Sequence, residues 1–264
     1  MALGPVAESL DWQHFLPALL LVMVRLSGLM VFGPVFSSEA IPTRVKAIFV
    51  LATAILLAPI TSALPLAHAS LDPLTVMGEL GVGLIFGIGL SMLNEMLLFA
   101  GQVLGFQFSF SLVNLLDPNS AVQTPLMGQM FTLMGTLVLV TAGYPRTILL
   151  AFIRSFRDAP IGTVFFEGGL GLSLVRLMGG VFFAGLQLAA PVLAATLLAE
   201  VTVAVLGRIS PQLPVMMISV PAKTLLGYVV LIGSLALWPH FIEARFSSLL
   251  DGVEQLVRHA GASR

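Results

Sequence analysis

Apolar residues gather along this chain into long runs separated by short clusters of proline, glycine and polar side chains. The runs cover about 15–36, 46–64, 74–100, 126–153, 170–206 and 212–239, against the roughly 20 residues that cross a hydrocarbon core as a helix. The breaks carry turn chemistry: Pro34 and Pro42, Pro65 and Pro73, Asp117-Pro118, Pro160-Ile161-Gly162, and Pro211 with Pro214. The pattern predicts an all-α, membrane-type protein of about six apolar helices or helical hairpins. No polar linker divides it, so a single domain over 1–264 is expected. The end of the chain differs. From 240 to 264, Ile242, Phe246, Leu249, Leu250, Val253, Leu256 and Val257 recur at helical spacing, with Glu243, Arg245, Asp251, Glu254 and Arg258 between them. That is an amphipathic helix, which packs on a partner, lies along an interface or folds back on its own domain.

The connection 101–125 breaks the pattern. Phe106, Phe108 and Phe110 alternate with Gln107 and Ser109, a period of two that predicts extended backbone. Extended backbone with unpaired N–H and C=O groups is excluded from lipid, and a phenylalanine cluster is ill suited to bulk water. Two settings remain. The segment lines or narrows an enclosed pathway, or its phenylalanines tuck into the protein's own core.

Composition sharpens the membrane reading. Only 9% of residues are charged, where an ordinary soluble domain has about 25%, so lipid or partner chains must surround the protein. The net charge of −1 offers no basic field for nucleic acid, and the absence of cysteine removes disulfides and thiolate metal sites. Glu8 and Asp11, with no Lys or Arg before the first apolar run, are unlike a secretory signal peptide, so that run is expected to be retained. A simple six-span topology fits the positive-inside rule poorly. Arg44 and Lys46 lie in the first connection, Arg146, Arg154 and Arg157 at or beyond the fourth run, and 101–125 has neither Lys nor Arg. Either some runs do not span or the topology is unconventional.

Arg25, Glu79, Glu95, Glu200 and Lys223 sit within or at the edge of apolar runs, where charges face other helices or water. Glu79 and Glu95 are on the order of 24 Å apart along one helix, too far for a proton-relay pair within it. Ion pairs or helix-end contacts are the expected role. Gly83 with Gly87, and Gly101 with Gly105, fit the small-xxx-small spacing that lets helices approach closely. Met92, Met96, Met127, Met130 and Met134 are core at helical spacing or, alternatively, a deformable seal. Enzyme chemistry finds no footing. His14, His68, His240 and His259 show no H-E-x-x-H spacing, and no G-x-S-x-G, P-loop or complete G-x-G-x-x-G occurs. Asp11, Asp72, Asp117 and Asp158 fall outside the apolar runs and Asp251 lies in the tail, so a pair of intramembrane aspartates is missing.

Three ordered blocks resemble the FliR family of flagellar type III export gate components, with injectisome counterparts more distant. The first is Arg25-Leu26-Ser27-Gly28 leading to Phe32-Gly33-Pro34-Val35-Phe36 and Ile41-Pro42-Thr43-Arg44-Val45-Lys46. The second is Gly105-Phe106-Gln107, then Ser111 through Ser120, and Gln123, Pro125 and Gly128-Gln129. The third is Pro191-Val192-Leu193, Leu197 through Glu200, Arg208 through Gln212, Pro221-Ala222-Lys223 and Gly227. Between the blocks, Ser155-Phe156 and Pro160-Ile161-Gly162 also fit, while Ala142-Gly143-Tyr144-Pro145 and Pro214 depart from the family pattern at two turns.

The resemblance implies a subunit of a helical channel in the bacterial inner membrane, at the flagellar basal body. FliP and FliQ would share the channel, FlhB would associate with it and FlhA more loosely, and unfolded flagellar proteins would pass through. It implies no cofactor and no enzyme activity. It places 105–125 in a closed-pore plug, with Gly105, Phe106, Phe108, Phe110, Asn114, Asp117 and Pro118 forming that loop. Arg25, Glu95, Glu200, Arg208 and Lys223 are expected to make helix or subunit contacts. A virulence injectisome gate subunit is the nearest alternative. A secondary transporter is the more distant one, since it calls for internal repeats and no convincing half-to-half repeat is visible.

Overall fold

The structure, a computed structural model, describes residues 12–34, 36–38, 41–108, 126–164, 170–210, 212 and 215–262. Among these, the chain is helical throughout, with no strand. The order is α1 Trp12–Phe32, α2 Thr43–Ser62, α3 Pro73–Gln107, α4 Leu126–Thr141, α5 Tyr144–Asp158, α6 Leu170–Ile209, α7 Val215–Ser234, a 3-10 turn Leu235–Leu237 and α8 Trp238–Ala262. Among the described residues, five helical stretches are long and apolar enough to cross a membrane: α1, α2, α3, α6 and the stretch Ser219–Gly261. Taking α4 and α5 as one broken span makes six. This is an all-α membrane protein.

Turn residues set the boundaries. Pro73 opens α3, where a missing N–H goes unneeded. Gly143 adopts φ +76, a left-handed conformation natural to glycine, and Pro145 follows in the first turn of α5. The apolar run 126–153 is therefore two helices rather than one, a correction that follows from Gly143 and Pro145 punctuating it.

The helices distribute over two compact units. The first comprises Met1–Ser91, Gly143–Leu177 and Ser247–Arg264, and the second comprises Met92–Ala142 and Met178–Phe246.

In the first unit, α1 packs on α2 through a stripe that includes Val50, Ala54, Leu57, Ala58 and Thr61. It crosses the start of α3 at glycines. A Cβ on Gly28 would lie 2.5 Å from the backbone carbon of Gly83, and a Cβ on Gly83 would run into the carbonyl oxygen of Arg25. The two helices meet backbone to backbone, as small residues allow. Gly83→Ala should therefore destabilise the protein by about 1–3 kcal/mol in reversible denaturation from detergent micelles. Gly179→Ala, where a Cβ meets nothing within 4 Å, serves as the neutral control.

The C-terminal half of α8 lies along this unit, with Val253 against Gly89, Gly252 against Leu177, and Gly261 against Asp158 and Ala159. Of the three settings open to the amphipathic tail, residues 247–262 take the fold-back onto their own chain.

In the second unit, Gly101 of α3 meets the backbone of Gly128 of α4, and Gly185 of α6 sits against Phe99 and Ala100. Phe131 and Trp238 meet edge to face at 4.4 Å, and so do Phe99 and Phe182 at 5.2 Å. Met92 and Met96 are buried core, while Met130 is exposed.

Candidate functional site

Two arrangements involve the residues singled out by the sequence. The first is a buried charge cluster in the first unit. Arg25 on α1 and Glu79 on α3 are both fully buried, and Arg25 Nε donates to Glu79 Oε2 at 2.5 Å. The remaining guanidinium nitrogens turn toward α5: Nη2 donates to the Ala159 carbonyl at 3.0 Å, and Nη1 lies 3.4 Å from Ser155 Oγ. The guanidinium carbon stands 4.3 Å from the centre of the Phe156 ring. The other carboxylate oxygen, Glu79 Oε1, accepts from the Gly162 backbone N–H at 3.1 Å. Gly162 takes φ +81 with no room for a Cβ beside the His68 carbonyl, and the His68 N–H donates to the Ile161 carbonyl at 2.8 Å. One ion pair thus ties α1, α3, the end of α5 and the turn after α2. Among the described residues, no buried side-chain nitrogen or oxygen lacks a partner. A buried pair that also satisfies its other donors and acceptors is held rather than penalised, so the cluster is a structural clasp.

The second arrangement is the end of α3 in the second unit. The alternation of phenylalanines predicts extended backbone from 105, and here the structure corrects it. The helix continues through Gln107, and the Phe108 N–H donates to the Leu104 carbonyl at 3.0 Å. On a helix, residues two apart lie about 200° round the axis, so Phe106 and Phe108 fall on opposite sides, whereas a strand would put them on one face. Phe106 accordingly points outward at 70% exposure, while Phe108 is buried at 5%. Phe108 stacks on Tyr228 of α7, centroids 4.6 Å apart and planes within 6°. A Cβ on Gly227 would collide with the Phe108 ring and crowd Thr196 of α6. Of the two settings open to these side chains, Phe108 takes burial in its own unit. Gly105 lies half-buried near the helix end, with open space around the position of a Cβ. Phe110, Asn114, Asp117 and Pro118 lie outside the described residues.

One turn beyond the Phe108 seat, Lys223 of α7, half-buried, pairs with Glu200 of α6, which is exposed. This joins two of the charges expected to make helix contacts. Glu95 and Arg208 are exposed and make no ion pair among the described residues. Around the pair, α6 and α7 present broad apolar surfaces. Leu198, Val201 and Ile209 are exposed on α6, and Met217, Leu225, Val229 and Ile232 on α7.

Sequence reasoning missed Ser155, Phe156, Thr196 and Tyr228 as contact residues. Ser155 and Phe156 stand out in the sequence only as a pair that fits the family pattern, which names no partner for them. Tyr228 carries a weak signal as one of two tyrosines in the chain. Glu79 is flagged by its place in an apolar run, but its partner lies 54 positions away, beyond any local pattern.

A profile of the family described as "Bacterial export proteins, family 1" matches residues 16–249. A protein of Bacillus subtilis named "Flagellar biosynthetic protein FliR" is 27% identical over 252 residues, covering 94% of this chain and 97% of its own. Proteins of the same name from Escherichia coli and Caulobacter vibrioides are 22% and 24% identical, covering 94% and 88% of this chain and 95% and 93% of their own. With the match running through nearly all of the helices described above, this chain belongs to the FliR family of bacterial export proteins.

Proposed function

We propose that the chain is a channel-forming subunit of the flagellar type III protein export gate in the bacterial inner membrane. In this reading it shares one helical channel with FliP and FliQ, associates with FlhB and more loosely with FlhA, and lets unfolded flagellar proteins pass. The flagellar rather than injectisome reading is favoured by the names its relatives carry. The observation that carries the subunit role is the apolar surface left open on α6 and α7. A helix of 40 residues extends about 60 Å, twice a hydrocarbon core of about 30 Å. Lipid alone cannot cover such a length, so protein partners along α6 are the natural cover.

The plug role of 105–125 is part of the same proposal. It is supported by the resemblance and by Phe106, a large apolar side chain left open where α3 ends. In a closed gate, such side chains exclude water from the pathway. Deletion of 106–113 is expected to let small ions leak across membranes in which the whole gate is overproduced, measured as ion flux into vesicles. An unchanged flux with an intact complex would remove the plug role.

A further inference from the structure

The outward face of α5 has no part in the arrangements above. This helix buries Ile148, Ala151, Phe152, Ser155 and Phe156 against its unit and turns Arg146, Leu150, Ile153, Arg154 and Arg157 outward. At 100° per residue, those five positions fall within about a third of the helix circumference. Leu150 is 42% and Ile153 40% exposed, so aliphatic side chains alternate with three exposed arginines. None of the three arginines is ion-paired among the described residues, and the nearby Asp158 is taken up by Arg258 of α8 at 3.2 Å. Among the described residues, the face therefore carries three positive charges without an ion-pair partner.

We propose that this face is an interfacial surface that docks on the anionic headgroups of the bilayer in which the protein sits. Three observations select that occupant. First, the same unit contains α1, α2 and the start of α3, each belonging to a helix whose length and apolar composition suit a bilayer crossing. Second, α5 has 15 residues, about 22 Å, too short to span, and three arginines cannot rest in hydrocarbon. Third, aliphatic residues set between arginines suit the headgroup boundary. There the arginines meet phosphates while Leu150 and Ile153 enter the acyl edge. Clasping Ala159 and Ser155 to Arg25 fixes α5 at a set rotation, so the arginine face is presented rather than free to roll.

The test uses the full chain, co-purified with its partners and reconstituted into phosphatidylcholine vesicles containing phosphatidylglycerol. Spin-labelled phosphatidylglycerol and phosphatidylcholine report which lipid the protein immobilises. With about five-fold in association per arginine near an anionic surface, the native protein is expected to favour phosphatidylglycerol by roughly five-fold or more, and less at high salt. Arg146→Gln/Arg154→Gln/Arg157→Gln should abolish most of that preference, whereas the corresponding lysine triple variant should keep it. Arg154→Gln alone should lower it partially, which preserves the test if the triple variant fails to fold. Equal lipid preference in the native and glutamine proteins overturns the proposal. So does loss of a co-purifying protein from the glutamine variant with lipid preference unchanged, which would assign the face to an acidic protein partner. The outcome does not depend on whether 106–113 seals a pore.

Discussion

Arg25→Ala or Glu79→Ala should each lower stability by about 3–5 kcal/mol, read from reversible denaturation in detergent micelles. Either change leaves one full charge without its partner in a site closed to solvent. Losing Glu79 also deprives the Gly162 N–H of its acceptor, and losing Arg25 frees the Ala159 carbonyl and uncovers the Phe156 ring. Arg25→Met/Glu79→Leu removes both charges at similar volume, so it should be closer to native than either single variant, since an apolar replacement of a buried pair is often neutral. That ordering is the decisive result. Single variants within about 1 kcal/mol of native would mean that the pair behaves like a solvated one and holds nothing.

The second large effect belongs to the Phe108 seat. Phe108→Ala should lower stability by about 3–5 kcal/mol, because the ring is almost fully buried and stacked on Tyr228. Among apolar helices in lipid, this loss is one of packing contacts, since lipid tails are as apolar as the side chains. Gly227→Val attacks the same contact from the other side, as even a Cβ there meets the Phe108 ring. The two changes should be strongly non-additive: removing the ring opens the space that valine needs, so the double variant falls well short of the sum. Tyr228→Phe preserves the stack and should stay within about 1 kcal/mol of native. Additive effects of Phe108→Ala and Gly227→Val would show that the two side chains do not share one seat.

The helical character and the positions of most spans are legible in the sequence, because long apolar runs ended by proline and glycine leave few alternatives. Gly83 and Gly101 announce close helix approach, and both do make backbone-to-backbone crossings. The end of α3 is misread for a definite reason. Three phenylalanines at alternate positions are too few to separate a period of 2 from one of 3.6, so the backbone hydrogen bond at Phe108 is what decides. The single apolar run 126–153 hides a break because hydropathy is blind to backbone dihedrals, and Gly143 with Pro145 writes the break in conformation rather than polarity. The charges are legible as expensive residues in need of partners, but not as pairs. Lys223 and Glu200 meet across two helices, and Arg25 and Glu79 are brought together only by the glycine crossing of α1 and α3.

The Arg25–Glu79 clasp also constrains how this chain can vary. The two positions are encoded far apart, yet each is tolerable only in the presence of the other. A lineage that loses one passes through a strongly impaired form before it can lose the second. Homologues should therefore keep both charges or lack both, with forms that carry just one being rare.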